Sequence, residues 1–87
     1  MADRLIDALE RVTDEKTFRD FLTALAEDRR TSLTDSDSRW QWDKIEDFLE
    51  AAANWSQDSE KGLSNYQVPS NAWKRCADVI YCGKIYE

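Results

Sequence analysis

Leu5, Ile6, Leu9 and Val12 recur at i, i+1, i+4 and i+7, with Arg4, Asp7, Glu10 and Arg11 between them. One apolar face at helical spacing predicts a first helix over about residues 3–12. Phe18, Phe21, Leu22, Leu25 and Ala26 repeat the pattern after the capping residues Thr13 and Asp14, and Glu15 stands four before Arg19. This predicts a second helix over about 14–30, whose terminal Arg29 and Arg30 suit the negative end of the helix dipole. The Ser-, Thr- and Asp-rich stretch 31–41 lacks that period and is expected to connect elements. Asp43 can then cap a third helix over about 43–56, with Glu46 reaching back in a capping-box variant. On a 100° wheel with Ile45 at zero, Ile45, Phe48, Leu49, Ala52 and Trp55 span about 280° to 40°, while Asp43, Glu46, Asp47, Glu50 and Asn54 span about 100° to 200°. Residues 57–69 read as a loop pinned by Tyr66. Ser70 caps a last helix over about 70–86, its stripe of Trp73, Cys76, Ala77 and Ile80 continuing through Gly83 toward Ile85 and Tyr86. The expectation is an all-α, single-domain four-helix bundle.

Composition narrows the chemistry. At 87 residues the chain suits one domain, and it contains no histidine. Ser-His-Asp and Cys-His nucleophiles, the usual zinc hydrolase motifs and facial-triad iron sites all need an imidazole and are excluded. Two glycines leave no Gly-rich phosphate loop. Twelve Lys and Arg stand against 18 Asp and Glu, for a net charge of −6. That balance disfavours direct binding to a phosphate backbone and suits a basic surface on another protein, or simply solubility. The sequence has no run of 18 apolar residues, and its first residues lead into a charged amphipathic stretch, so a cytoplasmic location without membrane insertion is expected. Cys76 and Cys82 on one helix would be separated by ~9 Å of rise, which forbids pairing, so two reduced and partly buried thiols are expected.

Two acidic motifs fail on mechanics. Asp35, Asp37 and Arg39 followed by Glu46 imitate calcium-loop spacing, but Arg39 replaces an oxygen ligand and Trp40 replaces the turn glycine. Glu46-Asp47-Phe48-Leu49-Glu50 imitates the magnesium motif of helical nucleotide pyrophosphatases. The second acidic pair such an enzyme needs would fall at Arg75 and Asp78, where a cation stands in for one ligand. Neither a metal nor a cofactor is therefore expected. Among the four tryptophans, Trp55 and Trp73 lie in helical stripes and belong to the core. Trp40 and Trp42 flank Gln41 at period two, and either pack over helix ends or anchor a partner.

Phe18-x-x-Phe21-Leu22-x-x-Leu25, Trp42, the run from Ile45 to Ala51, Trp55, Pro69, Trp73, Ala77, Ile80 and the ending Gly83-Lys84-Ile85-Tyr86-Glu87 carry a resemblance. Over roughly residues 14 to 87 the chain resembles a bacterial domain-of-unknown-function family of small acidic proteins. The resemblance implies an all-helical domain and brings no activity or catalytic residues.

The functional expectation is a non-enzymatic protein-binding domain whose partner contact involves Trp40, Trp42, Asp43, Glu46, Asp47 and Glu50. Its most concrete form is an inhibitor of a basic partner, of toxin-immunity or phage anti-defence (anti-CRISPR-like) type. A housekeeping adaptor or self-associating domain is the alternative, with a metal-dependent nucleotide pyrophosphatase behind both.

Overall fold

The computed structural model describes residues 4–34 and 40–86. Four helices follow one another: α1 (Arg4–Glu10), α2 (Glu15–Ser32), α3 (Ile45–Asp58) and α4 (Ala72–Ile85). The described residues contain no strand beyond an isolated bridge between Leu63 and Tyr66, so the chain is an all-α four-helix bundle. The calcium-like positions Asp35, Asp37 and Arg39 lie outside the described residues.

Local chemistry sets most boundaries. Asp14 caps α2 as expected, its carboxylate accepting from the Thr17 amide at 2.9 Å while Thr17 Oγ1 accepts from the Asp14 amide at 3.0 Å. These hydrogen bonds to Thr17 hold the Asp14 carboxyl below its ordinary value. The Glu15 to Arg19 pair forms at 3.3 Å on the exposed face. Two other caps differ from expectation. Lys44, not Asp43, occupies the N-cap of α3 and makes no side-chain cap bond, so the Asp43–Glu46 capping box does not form. The chain arrives there extended, because the Gln41 amide donates to the Lys84 carbonyl at 2.9 Å and the Trp42 indole to the Tyr86 carbonyl at 2.8 Å. Helical dihedrals begin only past Lys44. Asn71, not Ser70, caps α4: its Oδ1 accepts from the Lys74 amide while its Nδ2 donates to the Thr13 carbonyl. An amide side chain can cap its own helix and tie a neighbouring turn at once, which a serine hydroxyl is too short to do.

The core gathers Leu5, Val12, Phe21, Ala24, Leu25 and Ala77, with Phe18, Phe48, Ile80 and Tyr81 packed against it. The most extensive packing joins α3 to α4, next α1 to α2, and α4 also touches α1 and α2. Gly83 makes the α3–α4 approach possible. It continues α4 as expected, and a Cβ there would meet the Ala52 Cβ at 2.9 Å and the Phe48 carbonyl at 3.0 Å. Gly62 serves a different need, adopting φ +89 in the turn after α3.

Two helix faces are rotated from the predicted ones. In α4 the buried positions include Asp78, Gly83 and Lys84 beside Ala77. Trp73 is accordingly 39% exposed, resting on Phe18 at 5.5 Å between ring centres, and Cys76 and Ile85 face solvent. Asp78 is satisfied by the Tyr66 hydroxyl at 2.7 Å and by Lys74. The Arg75 guanidinium donates to Ser59 Oγ and the Ser56 carbonyl, both at 2.9 Å, and lies 5.2 Å from the Trp55 ring centre. Tyr66 thereby pins the loop after α3, as its sequence position suggested, and burial raises its hydroxyl pKa. In α3 the buried residues are Ala51, Ala52 and Trp55 with half-buried Phe48, while Ile45 and Leu49 of the predicted core face stand 75% and 57% exposed. The α3 departure has a plain physical cause: among the helices α3 packs on α4 alone, and among the described residues no Cα of α2 comes within 8 Å of a Cα of α3.

Candidate functional site

An apolar groove fills the place where α2 and α3 would touch in a closed bundle. Leu22, Leu25 and Ala26 of α2 form one wall, Ile45, Phe48 and Leu49 of α3 the other, and Trp40 and Trp42 enter from the connecting segment. The walls follow from periodicity. Leu22 and Ala26, like Ile45 and Leu49, are spaced four apart, so each pair lines one side of its helix. Leu22 is 39% exposed, Leu49 and Ile45 more so, and no part of the described chain covers them.

The end of the groove at residues 40–43 is built from polar bonds. Trp40 packs on Phe48 with ring centres 5.5 Å apart, and its indole donates to Asp28 Oδ2 at 2.7 Å. The same oxygen receives the buried Lys84 ammonium at 2.8 Å. Arg29 lies 5.5 Å from the Trp40 ring centre and 3.7 Å from the Asp43 carboxylate, bridging α2 to the segment before α3. A guanidinium over an indole face adds to a carboxylate pair without burying an uncompensated charge. Trp40 and Trp42 therefore have structural partners through their N–H groups and still present ring surface to the groove.

The six residues singled out in the sequence divide. Trp40, Trp42 and Asp43 meet at the groove end. Glu46 and Glu50 are exposed, and at 100° per residue they sit about 60° and 100° beyond Leu49, on the outward side of the α3 wall. Asp47 is half-buried on the opposite flank and takes no part in the groove. Among the described residues no three Cys, Asp or Glu side chains gather around a point that could hold a metal ion. The groove walls themselves were missed, because Leu22, Ala26, Ile45 and Leu49 carry the same signal as core positions. Arg29 was likewise assigned only to the helix dipole.

No helix of the described chain is long and apolar enough to cross a membrane. No curated protein and no solved structure matches the chain. A match over residues 14–87, which takes in α2, α3, α4 and the whole groove, shows that the chain belongs to DUF7660, a family of unknown function.

Proposed function

We propose that this chain is a non-enzymatic protein-binding domain and that partners dock along the α2–α3 groove and its acidic rim. The open groove carries the reading: apolar residues of two helices face each other across a gap that nothing in the described chain fills. Leaving such surface uncovered costs about 25 cal/mol per Å², which a docked partner would recover. The rim adds selectivity. Residues 43–60 hold six acids against Lys44, so a segment of net −5 accounts for most of the chain's −6. Glu46 and Glu50 at the rim favour an incoming surface with cations beside its apolar stripe. The Trp40 and Trp42 rings at one end offer the desolvated anchors that charge alone does not.

An inhibitor of a basic protein, of toxin-immunity or phage anti-defence (anti-CRISPR-like) type and from a bacterial source, is the finer form of this reading. Small size and localised acidity support it, and a toxin or phage operon beside the gene would favour it. Self-association is the second reading, favoured by the opposite charge of the two groove rims. The common test is affinity capture from the native host, followed by binding kinetics at two ionic strengths. Glu46→Lys with Glu50→Lys is expected to slow association and flatten its salt dependence, and Leu49→Glu to speed dissociation. A partner captured equally well by wild type and by Leu49→Glu removes the groove from the reading.

A further inference from the structure

We infer that the occupant of the groove is a second copy of this chain, docked about a two-fold axis running along the groove. This rests on the reading of the groove as a docking surface and names its partner. The argument comes from the charges on the two rims. On α2, Arg19 and Arg30 are exposed and lie about 60° and 80° beyond Leu22, pointing away from the core. On α3, Glu46 and Glu50 hold the corresponding outward positions beyond Leu49. Glu15 also lies on the α2 rim, about 20° beyond Leu22, so that rim is basic only in net charge, with two arginines against one acid, while the α3 rim is acidic.

Arg29 near the C-terminal end of α2 meets Asp43 just before α3, and Leu22 and Leu49 are the groove residues farthest from that contact on their helices, so the two walls run antiparallel. A two-fold axis parallel to them places α2 of each copy over α3 of the other. Leu22, Ala26, Ile45 and Leu49 of both copies then close one apolar layer. Arg19 meets Glu50 of the partner subunit, and Arg30 meets Asp43 and Glu46 of the partner subunit, each within about one helical turn of register. A two-fold axis across the groove would instead stack like rims on like, setting Glu46 and Glu50 against their own copies. Repulsion between like charges disfavours that arrangement, so charge selects one of the two isologous packings. Arg19 also pairs with Glu15 of its own helix, but an exposed pair of this kind contributes little and leaves the guanidinium able to reach a second carboxylate.

Sedimentation velocity over a concentration series tests this. Wild type is expected to show a monomer–dimer equilibrium that weakens with salt. Leu49→Glu should be monomeric with unchanged helical circular dichroism. Two charge variants decide the orientation. Glu46→Lys/Glu50→Lys and Arg19→Glu/Arg30→Glu should each raise the dimer Kd by about tenfold or more alone, whereas their equimolar mixture should dimerise, since positions 19 with 50 and 30 with 46 again pair opposite charges and outweigh the one like contact at Asp43. Wild type that remains monomeric to about 1 mM, the weak end of specific association, overturns the inference. So does a dimer that Leu49→Glu leaves intact, or a charge-variant mixture that stays monomeric. Failure here leaves the docking reading standing if Leu49→Glu still loses a captured foreign partner, so the two fail separately.

Discussion

Cys82 lies half-buried on α4, and burial, reinforced by the Asp78 carboxylate, pushes its thiol up to about 11. A thiol that stays protonated at neutral pH is a poor nucleophile, and Cys76 on the same helix is exposed. Brief iodoacetamide treatment of the native protein at pH 8 should therefore add one label, at Cys76, with Cys82 reacting only after unfolding. Peptide mass mapping checks this, and the intact mass should be the same with or without reductant. The sign of the pH effect follows from the upward shift. Stability contributed by the protonated thiol is present below the ordinary value of 9.0 and is lost as pH rises through about 11. Cys82→Ala should remove that part of the alkaline loss, measured as the difference between the two urea midpoints from pH 8 to 11. That the cysteines cannot meet was readable from their spacing on one helix. Their unequal burial was not, because the rotation of α4 is set by Asp78 and Lys84, which a pattern of apolar residues assigns to the surface.

Gly83 presents two opposing effects within one helix. Alanine there would gain about 1 kcal/mol of helix propensity, but its Cβ would sit 2.9 Å from Ala52 and 3.0 Å from a backbone carbonyl. Backbone cannot rotate away, so α3 must shift off α4, at a cost typical of overpacking, about 1–3 kcal/mol. Gly83→Ala should thus lower the urea midpoint even though it favours the isolated helix, and an unchanged or higher midpoint would mean that α3 moves freely. The helices themselves were legible because a 3.6-residue period is imposed by backbone geometry and survives any packing. Periodicity gives the width of an apolar arc but does not tell which neighbour covers it, and so Ile45, Leu49 and Trp73 were placed in a core they only border. The caps at Lys44 and Asn71 escaped for a related reason: Lys44, a poor capping residue, displaces Asp43 where the Trp42 bond to Tyr86 holds the chain extended, and Asn71 displaces the equally good Ser70 through its bond to Thr13.

Three parts of the chain meet at the Lys84 ammonium, which joins Asp28 of α2 while the same carboxylate holds Trp40 of the connecting segment. Lys84 is 8% exposed, so removing it leaves a largely desolvated carboxylate with one partner fewer. Lys84→Met should cost about 3 kcal/mol in urea unfolding, and Asp28→Asn added to it should restore a substantial part by removing the stranded charge. A double variant no more stable than Lys84→Met would show that the ion pair is not what the lysine contributes. The packing also has a consequence during synthesis. Of the helices, α3 touches α4 and no other, and α4 follows it in the chain. From the completion of Asp58 to that of Ile85 the ribosome adds about 27 residues, which takes roughly one to five seconds at about 5–20 residues per second. Until α4 docks, Ala52 lacks its cover, Phe48 has Trp40 and Trp55 has Tyr66 but neither has the α4 surface, while α1 and α2 have already been made and can pair. The chain should be most open to capture by a chaperone between the emergence of α3 from the ribosome and the docking of α4 on it.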